Sequence, residues 1–121
     1  PDVLNSCQLA ERGPVVLAFL ATRSKRCEQQ VDVLERVRRR FPDVGFAAVS
    51  VRGDRGDVRA LVRKRGWGMP VGYDHDGAVT NAYAVAICPT ITFARRGGVV
   101  ADTSFKLLGE EALAAKIEAL R

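Results

Sequence analysis

Three cysteines, one histidine and a scatter of cations are the groups through which this chain of 121 residues could do chemistry. Cys27 closes the phrase Ala21, Thr22, Arg23, Ser24, Lys25, Arg26, Cys27, which follows an apolar run directly. A thiol is nucleophilic near neutral pH only as its thiolate, and both the backbone N–H groups of a helix start and nearby cations favour that anion. Arg23, Lys25 and Arg26 supply the cations, and Ser24 reads first as a helix N-cap. With Ser24 in that place Cys27 falls in the first turn, where it feels the dipole while its side chain turns toward the protein. It also reads as an inert small hydrophobe. Cys7 reads as a structural or incidental thiol. An odd set of widely separated cysteines argues against a disulfide scaffold and against C-x-x-C zinc pairing. His75 lies in the polar turn Asp74, His75, Asp76, Gly77 without further ligands at metal spacing, so neither a metal nor another cofactor is expected.

The elements around these residues read clearly. Pro14–Ala21 is a continuous apolar run opened by proline, the pattern of a strand buried on both faces. A helix follows from Ser24, with Cys27, Val31, Leu34, Val37 or Arg38, and Phe41 at three- and four-residue spacing until Pro42 stops it. Val44–Val51 repeats the buried-strand pattern, and residues 54–65 carry Val58, Leu61 and Val62 on one helical face that ends at Gly66. Strand, helix and strand in that order predict parallel neighbours joined by right-handed crossovers. Met69–Tyr73 is a short strand, and Ala78–Val85 a short helix. Thr90–Ala94 and Val99–Phe105 flank Arg95, Arg96, Gly97, Gly98, whose glycines suit a hairpin turn, so these two strands are antiparallel. Glu110–Leu120, with Leu113, Ile117 and Leu120 inward, closes the chain. One α/β domain over residues 1–121 is expected, without repeats or low-complexity linkers.

With 19 Lys and Arg against 14 Asp and Glu, the chain carries +5, which raises the question of a nucleic-acid partner. The densest cationic groups, Arg36 with Arg38, Arg39 and Arg40, and Arg63 with Lys64 and Arg65, fall at helix ends where the macrodipole favours them. The few aromatics sit mostly in apolar runs rather than on a stacking surface, so no nucleic acid is expected. The longest apolar run, Val15–Ala21, is far short of a membrane span of roughly 20 residues, so no membrane contact is expected of this chain. A chain that begins at Pro1 leaves room for a removed targeting segment, and the compartment reads as either cytoplasmic or bacterial extracytoplasmic.

Two segments carry a family resemblance. Phe19 to Cys27 (FLATRSKRC) is similar to the active-site segment of the thioredoxin superfamily, commonly FWATWCxxC. Tyr83 to Phe93 (YAVAICPTITF) resembles that family's YGVxGxPTxxF, whose proline is cis and faces the site. The likeness runs from about Pro14 to Leu120 and is nearest the redoxin branch, which holds bacterial thioredoxin-like proteins of the cytochrome-maturation type and hydroperoxide-reductase-like, thiol-specific-antioxidant-like proteins. It implies a thioredoxin fold: a central mixed sheet flanked by helices on both faces, with a cis-Pro loop at Pro89 before the C-terminal hairpin.

The departures from that pattern bear on function. Ser24 stands where family oxidoreductases carry the attacking cysteine, and a serine hydroxyl cannot form a mixed disulfide, so SxxC replaces CxxC. The glutamate that cytochrome-maturation members often place three positions after the second cysteine is here Gln30, and thioredoxin's buried aspartate falls at Ala18. SxxC also resembles the TxxC of peroxiredoxins, whose proline and arginine map to Leu20 and near Thr90. The resemblance therefore implies thiol–disulfide chemistry through Cys27 and Cys88, with Ser24 beside them, acting on protein thiols, disulfides or a redox partner protein. Cys88, just before Pro89, replaces the lost cysteine from the opposite side in this reading. Pro89, Cys88, Arg23, Lys25 and Arg26 then form the substrate-facing rim. A non-catalytic protein- or peptide-binding module and a one-cysteine peroxidase are the alternatives.

Overall fold

The computed structural model describes residues 11–21, 24–52, 55–73 and 89–121. Five strands form one mixed sheet: β1 (Val15–Ala21), β2 (Gly45–Arg52), β3 (Val71–Tyr73), β4 (Thr90–Ala94) and β5 (Val100–Ser104). Their order across the sheet is β3-β2-β1-β4-β5. β1 pairs parallel with β2, and β2 parallel with β3, while β4 runs antiparallel to both β1 and β5. Helix α1 covers Lys25–Val37, α2 Arg55–Arg65 and α3 Glu110–Glu118.

β1 lies at the centre because its whole length is apolar. Val16, Ala18 and Leu20 join a core with Ala48, Ile91 and Phe93 of the neighbouring strands and with Val31, Leu34 and Val37 of α1, Val58 of α2, and Leu113 and Ile117 of α3. Val15, Leu17, Phe19, Ala47 and Val49 alternate with that set and are buried as well, so both faces of the sheet are covered, as uninterrupted apolar runs require. Successive crossovers of one hand, from β1 to β2 and from β2 to β3, set α1 and α2 side by side on one face. Arg65 of α2 accordingly reaches Glu28 and Asp32 of α1.

The element boundaries differ from the sequence reading at a few ends. The first helix does not run as α-helix to Phe41. It tightens into a 3₁₀ turn over Arg38–Arg40, with Phe41 N–H donating to the Arg38 carbonyl at 3.1 Å, so that Phe41 turns into the core ahead of Pro42. Gly66, at φ +70°, ends α2 in the left-handed region that a side chain would strain. Gly97 and Gly98, at φ +92° and +90°, make the hairpin turn as expected. α3 ends at Glu118, short of Leu120, yet Leu120 remains buried. The expected turn at 74–77, including His75, and the short helix over 78–85 lie outside the described residues, as do Cys7, Arg23 and Cys88.

Candidate functional site

β1 delivers the chain to the site. Its ladder with β2 slips by one residue between Leu20 and Ala21, and α1 begins four residues later at Lys25. Ser24 takes the N-cap position in extended backbone (φ −108°, ψ 109°), and its carbonyl accepts from Glu28 N–H at 3.0 Å. Its hydroxyl makes no capping bond, so the expected side-chain cap is absent.

Cys27 lies on the inner stripe of α1, 1% exposed among core residues. Its sulfur is in a disulfide, so it is not a free thiol. The two other cysteines, Cys7 and Cys88, lie outside the described residues. Pro89 is buried, and Thr90 after it pairs with Phe19 near the end of β1. Lys25 and Arg26 are exposed on the first turn of α1. Ala18, where thioredoxin holds an aspartate, is a buried core residue, and so is Leu20, where a peroxidatic proline would stand. Thr90, near the mapped peroxidatic arginine, is a buried strand residue too.

A polar frame around α1 was not evident from sequence. Glu28 pairs with Arg65 at 2.7 Å; Asp32 accepts from Arg65 at 2.8 Å and from the Trp67 indole at 2.8 Å. The Arg65 Nε is buried without a partner, while its two terminal nitrogens each hold a carboxylate. Glu35 accepts from the N–H groups of Gly68 and Met69 and takes a two-pronged contact from Arg38. The spacing of Glu28, Asp32 and Glu35 along one helical face was the available signal. On a neighbouring stripe, buried Gln30 closes a two-way clamp on Leu108: its amide N–H donates to the Leu108 carbonyl at 3.1 Å, and its amide oxygen accepts from Leu108 N–H at 2.6 Å.

Burial pushes the Glu35 carboxyl up, but Arg38 and the N–H groups of Met69 and Gly68 outweigh it and hold the group below its ordinary value. A carboxyl with a depressed folded value contributes stability above its unfolded value and loses it as pH falls through the folded one. Glu35→Gln should therefore be less stable than wild type by about 1–2 kcal/mol at pH 7. Urea midpoints should converge on acidification below about pH 4.3, the ordinary glutamate value. A gap that stays constant down to pH 3 contradicts this assignment.

The sheet order, with the proline-led strand beside the strand that feeds the cysteine helix, defines a thioredoxin fold. Among solved structures the chain is similar to a secreted Mycobacterium tuberculosis disulfide oxidoreductase homologous to E. coli DsbE, at 23% identity and a TM-score of 0.86 over 97% of this chain and 88% of that one. It is similar to MTB dsbF, at 24% identity and 0.83 over 91% and 82%. StoA from Bacillus subtilis matches at 15% identity and 0.78 over 87% and 82%. No curated protein matches the chain. The AhpC/TSA family model matches residues 4–107, and the chain belongs to that family, in the redoxin branch of the thioredoxin superfamily. Among the described residues no helix is long and apolar enough to cross a membrane.

Proposed function

We propose that this protein is a thiol–disulfide oxidoreductase whose redox pair joins Cys27 to Cys88, in place of a CxxC pair. The observation that carries the reading is the disulfide at Cys27 in a chain whose would-be partner within the motif is Ser24. The bond must then reach another part of the chain, to Cys7 or to Cys88. Cys88 is two residues before Thr90, hence within about 8 Å of it, and Thr90 pairs with Phe19 at the end of β1 that feeds α1. Cys7 starts from the other end. Glu11 accepts from Arg96 in the β4–β5 turn, beside Ala94 and its partner Val15. The seven residues of β1, about 20 Å of strand, separate that end from the helix start.

In the reduced protein Cys88 attacks one sulfur of a substrate disulfide. The substrate S–S bond breaks, one substrate thiolate leaves and takes a proton, and a mixed disulfide forms. Cys27, in the resolving place, then attacks the Cys88 sulfur, releasing the second substrate thiol and closing the protein disulfide. Two electrons pass from protein to substrate, and the two protons of the protein thiols end on the substrate thiols. The reverse sequence oxidises a dithiol. The Ser24 hydroxyl, not used in capping, is available to donate to a thiolate, and Pro89 leads into the strand that pairs with β1.

Non-reducing peptide mapping should find a Cys27–Cys88 linked peptide that disappears with dithiothreitol. The reduced Cys7→Ser variant should turn over bis(2-hydroxyethyl) disulfide at the wild-type rate, while Cys27→Ser and Cys88→Ser should not close the cycle. A Cys27–Cys7 peptide overturns the pairing. Free alkylation of Cys27 and Cys88 after oxidant leaves a binding module, and rapid sulfenic acid formation at Cys27 under peroxide makes the protein a peroxidase.

A further inference from the structure

The first turn of α1 is built against its own electrostatics. A helix N-terminus favours acids, and cations there are unfavourable, yet Lys25 and Arg26 occupy that turn, both exposed. Glu28 would ordinarily neutralise Lys25 across three residues, but its carboxylate is held by Arg65 at 2.7 Å, on a side chain only 13% exposed. Asp32 is held by the same guanidinium and by Trp67, and Glu35 by Arg38, Gly68 and Met69. Every acid of α1 is thus engaged by a partner other than Lys25 and Arg26. Farther along the helix, by contrast, Arg36 is neutralised by Glu110 and Arg40 by Glu111. Lys25 and Arg26 have no ion-pair partner among the described residues, and they directly precede the disulfide-bonded Cys27 in the chain.

We infer that Lys25 and Arg26 make the site selective for negatively charged disulfides, those whose sulfur is flanked by carboxylates. The inference rests on the oxidoreductase reading above and adds its substrate class. The two cations raise the local concentration of an anionic disulfide and offset the negative charge that develops as a thiolate attacks it. The step is the one already given: the reduced protein passes two electrons to the disulfide and releases two thiols. Carboxylates beside a cystine occur in small acidic disulfides and in acidic polypeptides, and the probes below separate the two.

Stopped-flow oxidation of the reduced protein should be followed with 3,3′-dithiodipropionate as the anionic probe and bis(2-hydroxyethyl) disulfide as the neutral one. Because the probes differ in leaving group, the quantity read is the anionic-to-neutral rate ratio in each variant. Lys25→Glu/Arg26→Glu should lower that ratio about tenfold at 20 mM salt, within the range of electrostatic steering, and the drop should shrink at 0.5 M salt, where the Debye length is only a few ångströms. Lys25→Gln/Arg26→Gln, the gentler change, should give an intermediate drop. Arg39→Glu/Arg95→Glu alters net charge equally at exposed positions at the far end of α1 and in the β4–β5 turn, and should leave the ratio unmoved. A larger drop with a Glu-flanked peptide disulfide than with the small probe assigns an acidic polypeptide; an equal drop assigns small acidic disulfides. A ratio indifferent to Lys25 and Arg26, or moved equally by the distant pair, overturns the charge selection alone. Failure of the wild type to react even with the neutral probe overturns the oxidoreductase reading, and this inference with it.

Discussion

Cys27→Ala and Cys88→Ala are each expected to lower the stability of the oxidised protein by about 4 kcal/mol, the entropy of closing a loop of about 60 residues. At the roughly 3–6 °C per kcal/mol expected for a domain of this size, the melting midpoint should fall by roughly 12–24 °C. The double variant should lose little more than either single one, because both remove the same bond and the effects cannot add. Dithiothreitol should bring wild type down to the level of the variants while leaving them almost unmoved. Cys7→Ala should stay within about 1 kcal/mol of wild type, as a substitution that breaks no link. Should Cys7→Ala take the loss and Cys88→Ala escape it, the cross-link runs to the N-terminal segment and the redox pair proposed above is wrong. The same linkage has a functional side: whatever the disulfide adds to the fold, the fold returns to the disulfide, so the folded pair is harder to reduce than the same cysteines in the unfolded chain.

The strands and helices were legible because each rests on a pattern that burial enforces. The run Val15–Leu20 admits only a strand covered on both faces, and Cys27, Val31 and Leu34 admit only a helix with that stripe inward. The hairpin at Gly97 and Gly98 was legible because two positive-φ residues in succession need glycine. The site was legible only in part. Serine at position 24 suggested a capping hydroxyl, since type and place agree, but the structure leaves the hydroxyl uninvolved in the cap. Whether a cap forms depends on a rotamer, not on residue type. The attachment of Glu28, Asp32 and Glu35 to residues 65–69 could not be read, because their partners lie more than 30 positions away and sequence spacing records neighbours on one helix only. Helical spacing alone would set Glu28 against Lys25 on the same face of α1. Glu28 and Asp32 instead pair with Arg65, which is why the charge on Lys25 and Arg26 became visible only in three dimensions.

Gln30→Glu is expected to make the fold sensitive to pH in a way the wild type is not at this position. The amide meets Leu108 as donor and acceptor at once, 3.1 Å from its carbonyl and 2.6 Å from its nitrogen, at 1% exposure. An ionised glutamate can still accept from the Leu108 N–H, but it sets a negative oxygen against the Leu108 carbonyl and is buried without a counter-charge. A protonated glutamate restores both contacts. The folded carboxyl is therefore raised above its unfolded value of about 4.3. The sign follows: below that pH the variant should match wild type within about 1 kcal/mol, and as pH climbs through the window between the two values the native state must surrender a proton that it holds more tightly than the unfolded chain. At pH 7 the deficit should reach about 2–4 kcal/mol. Gln30→Leu separates this from loss of shape, since it leaves both Leu108 groups unsatisfied at every pH and should cost about 2–5 kcal/mol with no slope. Stability is measured against wild type at each pH, which cancels the acid loss at Glu35. A Gln30→Glu deficit that is flat from pH 4 to 8 would mean the clamp is not what holds α1 to the segment before α3. With the slope present, the neutral amide is explained: it meets the Leu108 N–H and carbonyl together at every pH, which an ionised carboxylate in the same place cannot do.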